Sequence, residues 1–191
     1  MGKEREAMNK LKKINRGLIL TAAVVLAVAV YLGLLTAKAN RMKTDAERLL
    51  KNFLAADAAW KVIPEEYMEN YEGYIELLEP EMRDYFADDS AYQYYIENNI
   101  YSQYRTNVFY RTCDVSLIEL FSSEFDNNIL SLPCMISISG KTNLEAQGQD
   151  YGAPLYYSFS FKEVDGELKI YYLNYRSENF SGYDLTAGSV Y

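Results

Sequence analysis

Side chains that commonly run chemistry are scarce in this chain of 191 residues, which contains no His. That removes the Ser-His-Asp and Cys-His nucleophile systems, the common zinc sites and the usual titration near neutral pH. No phosphate-binding loop, dinucleotide glycine fingerprint or EF-hand spacing occurs. What remains is carboxylates, two cysteines and 19 tyrosines. Glu65, Glu69, Glu72 and Glu76 recur at spacings of three and four, which puts them on one helix face. Calcium needs roughly six to eight oxygens, supplied mostly by loops and backbone carbonyls, so the stripe reads as a solvated face. Asp126-Asn127-Asn128 reads as a turn. Cys113 and Cys134 fall, by parity, with the apolar residues of neighbouring strands. In an oxidising exterior they could form a disulfide if their Cα atoms lie within about 7 Å; otherwise they are two buried thiols.

These residues sit behind a segment of another kind. Gly17 to Ala37 carries no charge and no Pro. As a helix it is about 31 Å long at 1.5 Å per residue, which matches a hydrocarbon core of about 30 Å. Its only polar side chains are Thr21, Thr36 and the phenol of Tyr31, so it is apolar all round and reads as a transmembrane helix in contact with membrane lipid. Lys3, Arg5, Lys10, Lys12, Lys13 and Arg16 precede it, and Lys38, Arg41 and Lys43 follow. Six cations against three favour an N-terminus in the cytoplasm and an extracytoplasmic C-terminal domain, single-pass in the cell membrane. Ala37-Lys38-Ala39 also fits a signal-peptidase site, and cleavage after Ala39 would release a secreted domain. The apolar run exceeds the usual length of a signal-peptide core, which favours retention.

Of the 27 acidic residues, all but Glu4 and Glu6 follow the span, while nine of the 19 basic residues lie at or before Lys43. The exported part therefore carries a negative excess of 15, which argues against nucleic-acid partners. The expected organisation is a basic tail 1–16, the span 17–37, a polar neck 38–43, one domain 44–176 and a loose tail 177–191. Asn179-Phe180-Ser181 in that tail fits a glycosylation acceptor.

Thr44-Asp45-Ala46-Glu47 is a capping box and predicts a new helix, carried by Leu49, Leu50, Phe53, Leu54, Ala58 and Trp60 and ended by Pro64. A second helix is predicted around Tyr67, Met68, Tyr71, Tyr74, Ile75 and Leu78; Pro80 suits the first turn of another, and Asp88-Asp89-Ser90 offers caps for a fourth. The period then changes to two. Cys113, Val115 and Leu117 share one parity; Leu130, Leu132, Cys134, Ile136 and Ile138 share another, with Pro133 implying an edge or bulge. Asp165-Gly166 predicts a tight hairpin leading into Leu168, Ile170 and Tyr172. The fold class is α+β: a transmembrane helix, then three or four helices on a curved, cone-like antiparallel sheet.

From the Thr44 box to the last hairpin, Phe161-Lys-Glu-Val-Asp-Gly-Glu-Leu-Lys-Ile-Tyr-Tyr, the chain resembles nuclear-transport-factor-2-like (cystatin-like) cones. With its basic tail and single span it also resembles the bitopic assembly subunits of bacterial conjugation and type IV secretion machines. The first resemblance implies a cone that can hold an apolar pocket, and ketosteroid-isomerase-like members pair a carboxylate base with a phenol donor. Tyr110, Asp114, Glu119, Tyr157 and Tyr172 could supply such parts. Alternatively, inward tyrosines fill the cone. The functional expectation is a membrane-anchored binding or assembly module of the cell envelope, with an envelope protein or a second copy as partner and neither cofactor, metal nor catalysis. The alternatives are a domain binding a small apolar ligand and an isomerase-like enzyme.

Overall fold

The computed structural model describes residues 2–144 and 154–176. It divides into two compact units, Met1–Arg41 and Met42–Tyr191. One helix, α1 (Gly2–Lys61), runs through the whole of the expected tail, span and neck. Thr44 therefore caps nothing, because the residues before it are already helical and leave no free first-turn N–H groups. Residues 177–191, with the expected loose tail and the glycosylation motif, lie outside the described residues.

In the second unit the end of α1 buries Ala46, Leu50, Phe53, Leu54, Asp57, Trp60 and Lys61. That spacing is one continuous helical stripe. A 3-10 turn (Glu65–Tyr67) leads to α2 (Tyr71–Met82), whose N-cap Asn70 accepts from the Gly73 N–H at 3.0 Å. Pro80 lies in the last turn of α2 and does not open a helix of its own. The carbonyl that it leaves unbonded belongs to Glu76, which is exposed and can be hydrated. Asp88 caps α3 (Asp89–Tyr95), accepting from the Ala91 N–H at 3.1 Å. A π segment (Ile96–Ile100) joins α3 to α4 (Tyr101–Thr106), which ends on Asn107 in the left-handed conformation.

Five strands follow: β1 (Tyr110–Leu120), β2 (Glu124–Asp126), β3 (Ile129–Thr142), β4 (Pro154–Val164) and β5 (Glu167–Arg176). All neighbours are antiparallel in the order β1-β3-β4-β5, and β2 pairs with β3, so the sheet is open. Asn127 and Asn128, both at positive φ, turn β2 into β3; Asp165 and Gly166 do the same between β4 and β5. β1 ends opposite Cys134 and β2 begins opposite Ser131. Pro133 thus falls at the break between them, where its missing N–H leaves no ladder bond unmade. At Gly140 a Cβ would come within 2.0 Å of the Thr112 carbonyl oxygen, so only glycine lets β1 cross β3 there.

Helices cover one face of the sheet. Phe53 sits at the centre, with the rings of Trp60, Tyr85, Phe86, Tyr95 and Phe159 all between 5.4 and 6.1 Å from its own, mostly edge-on. On β3 the residues from Leu130 to Ile138 alternate between buried and half-buried, so the opposite face of the sheet meets solvent.

Candidate functional site

The five residues considered for a pocket do not face one another. Asp114 is exposed, on the opposite parity to Val115. Glu119 shares the inward parity of Val115 and Leu117 in sequence, but a register shift between Leu117 and Glu119 makes Ile118 the extra residue and turns Glu119 to solvent. Tyr172 shares the parity of buried Ile170, yet β5 has a bulge at Tyr171: Phe161 pairs with Ile170 and Ser160 with Tyr172. The inward place passes to Leu173, which is buried, and Tyr172 is 47% exposed against Tyr94. Tyr110 is half-buried, its N–H donating to Gln103 Oε1 at 3.1 Å. Of the five, Tyr157 alone points into the core, stacked on Phe159 at 5.7 Å.

Beside Tyr157 lies a polar cluster that sequence reasoning passed over. Asp57 and Lys61 form an ion pair one helical turn apart, both buried. Tyr95 Oη donates to Asp57 Oδ1 at 2.5 Å, and Lys61 Nζ to Asn99 Oδ1 at 3.4 Å. Gln103 Nε2 donates to the Lys61 carbonyl at 3.1 Å. α1, α3, the π segment, α4 and β1 are thus joined through one set of hydrogen bonds. Burial raises the Tyr95 phenol well above its ordinary pKa, and the adjacent Asp57 raises it further, so it stays a donor. The cluster borders a gap of about 10 Å³, room for one water, whose apolar walls include Phe53, Ile136 and Phe159. Nothing the size of a steroid or lipid fits there. The signal for this cluster was present in the chain: Asp57 and Lys61 continue the Phe53 stripe at steps of four. Charged residues on an otherwise apolar helix face are paired when buried.

The cysteines are both free. Cys113 pairs with Gly140 and Cys134 with Leu120, so the two lie six positions apart along the β1–β3 ladder. At about 3.3 Å per residue that is roughly 20 Å, beyond the reach of a disulfide. Burial pushes the thiols up, to about 11 and about 12 respectively.

The acidic stripe Glu65, Glu69, Glu72 and Glu76 is exposed throughout. Among the described residues no three Cys, Asp or Glu side chains converge as a metal site. Among the described residues, one helix is long and apolar enough to cross a membrane. Its large apolar side chains from Leu18 to Leu34 are exposed. Thr21 and Thr36 return their hydroxyls to the carbonyls of Gly17 and Leu32 at 3.0 and 2.9 Å, so neither needs water.

No protein-family model matches the chain, and no curated protein is recognisably similar to it. Among solved structures, the crystal structure of the intermembrane space region of chloroplast protein ARC6 is similar over 70% of this chain and 95% of that one, with a TM-score of 0.44 and 9% identity. By its own elements the chain is an α+β domain preceded by an apolar helix compatible with membrane association.

Proposed function

We propose that this is a single-pass membrane protein, N-terminus in the cytoplasm, whose extracytoplasmic domain is a nuclear-transport-factor-2-like binding or assembly module of the cell envelope, without a catalytic cycle of its own. The observation that carries the reading is the exposed apolar run from Leu18 to Leu34: a contiguous surface of that kind needs lipid around it. The bias of six cations before the span against three after it supports the orientation. Retention of the span is supported by Ala37-Lys38-Ala39, which lies inside α1, whereas a peptidase takes its substrate extended. A binding role is favoured over a pocket enzyme because the core beside Tyr157 holds one water-sized gap, and Asp114, Glu119 and Tyr172 point elsewhere. A place in a conjugation or secretion machine would suit such a module.

Protease added outside spheroplasts should digest the chain beyond Lys43, while alkali-washed membranes should retain protein beginning at Met1 or Gly2. Protection of the domain in spheroplasts would overturn the orientation, and a mature N-terminus at Asn40 would overturn the anchoring.

A further inference from the structure

The two outer strands of the open sheet are finished differently. At β5 the chain before α3 covers part of the edge: the Ala87 N–H donates to the Ile170 carbonyl at 2.8 Å, and Lys169 Nζ donates to the Asp84 carbonyl at 2.6 Å. β1 pairs with β3 on one side, and among the described residues no strand or bridge lies on its other side. Its first residue is held by α4, through the Tyr110 N–H and Gln103 Oε1, so the open edge begins at Arg111. Such an edge presents backbone donors and acceptors to any strand that approaches.

This edge is laid out symmetrically about Val115. Register shifts interrupt the β1–β3 ladder between Tyr110 and Thr112 and between Leu117 and Glu119. The two bulges, Arg111-Thr112 and Ile118-Glu119, therefore stand three and four residues to either side of Val115. Charge follows the same symmetry with opposite sign, since Arg111 precedes Val115 by four residues and Glu119 follows it by four. Both are exposed, and neither is used in an ion pair among the described residues. Apolar positions on the strand are also incompletely covered. Ile118 is 53% exposed, and the inward Cys113 and Leu117 are half-buried, whereas the inward residues of β3 from Leu130 to Ile138 are buried.

We propose that the open edge of β1 pairs antiparallel with β1 of a second copy, about a two-fold axis through Val115, so that one sheet continues across the dimer. In that register Arg111 lies opposite Glu119 of the second copy, and by symmetry the pair forms twice. Thr112 meets Ile118, Cys113 meets Leu117, and Asp114 meets Ser116, whose hydroxyl donates to the carboxylate. Each bulge faces the other, two residues against two, and the new ladder runs unbroken over residues 111–119. A register slipped by two sets Arg111 against Leu117 or Phe121 and Glu119 against Phe109 or Cys113, with no charge pair. Charges that only blunt an edge need one sign; here opposite signs stand where a two-fold brings them together. The acidic excess lies elsewhere: residues 62–104 hold eleven carboxylates and one cation, whereas β1 holds Asp114 and Glu119 with Arg111. The proposal rests on the assembly-module reading and names its partner as a second copy.

The test uses the full chain in mild-detergent micelles, with self-association followed by sedimentation equilibrium. The parent should dimerise. Arg111→Glu and Glu119→Arg should each weaken dimerisation about tenfold, because each sets like charges opposite one another twice. The double variant Arg111→Glu/Glu119→Arg should recover the parent's affinity within about twofold, and an equimolar mixture of the two single variants should dimerise like the parent. Register is read by thiols: Thr112→Cys coexpressed with Ile118→Cys should cross-link under copper phenanthroline. Either variant alone should cross-link no more than the parent, because its thiols would lie six positions, or roughly 20 Å, apart. Unaltered fluorescence of Trp60 would show that each variant is folded. A monomeric parent, a dimer indifferent to the single reversals, or no recovery in the double variant would overturn the proposal. A photocrosslinker at position 116 in cells separates it from the broader reading, and adducts to a second copy are expected. Adducts to another protein alone would overturn the second copy and keep the binding module, whereas no adduct at any surface position would overturn both.

Discussion

Lys61 and Asp57 form an ion pair inside the core, with side chains 6% and 4% exposed, one turn apart on α1. Removing two charges from water is costly, and the pair is tolerated because Tyr95 and Asn99 complete its hydrogen bonds. The two charges lie on the stripe that seats α1 against the helices and the sheet, so they also specify how α1 sits there.

Breaking this pair should be far worse than deleting it. Asp57→Leu or Lys61→Met alone should destabilise by about 3–5 kcal/mol, because the surviving charge is buried without a partner. The double variant should lie within about 2 kcal/mol of the parent, the residual loss being the stranded Tyr95 hydroxyl, and adding Tyr95→Phe should reduce that loss. Trp60, the single tryptophan and buried against Phe53 and Tyr85, reports unfolding in urea. Additive losses in the double variant would contradict the coupling.

The bulge at Tyr171 makes a prediction opposite to strand parity. Leu173→Ala should cost about 2–4 kcal/mol by opening a cavity under the sheet. Tyr172→Ala, at an exposed position, should cost less than about 1 kcal/mol. The same urea titration ranks them, and a reversed order would move the bulge.

Asp88 supplies a pH-dependent part of the stability. Its carboxylate is held below 3.8, chiefly by the Ala91 N–H at the start of α3, with burial opposing and Lys162 assisting. A carboxylate with a depressed folded pKa stabilises fully above its unfolded value and loses that contribution as pH falls through the folded one. Asp88→Ala should therefore cost about 1 kcal/mol at pH 7. The difference from the parent should shrink as pH is lowered below 3.8. A gap that stayed constant down to pH 2 would show that charge is not involved.

Much of the local structure was legible in the chain. The apolar helix, the Asp88 cap, the β3 alternation and both positive-φ turns follow from interactions within a few residues, where composition and period are sufficient. The Thr44 box misled because a capping motif stabilises a helix start but cannot impose one on a chain already helical on both sides. The pocket candidates misled for a different reason: parity assigns a face only while the register is unbroken, and Ile118 and Tyr171 each break it.

By itself, then, the sequence determined the long apolar helix, the α+β class, the acidity and the absence of imidazole chemistry, because these depend on composition and near-neighbour spacing. Tertiary structure alone decided that Asp57 and Lys61 meet Tyr95 and Asn99 in the core, that Cys113 and Cys134 stay apart, and that Tyr71, Tyr101 and Tyr104 share one surface. Those facts depend on strand register and helix docking, which are selected by long-range packing energy rather than by any local preference.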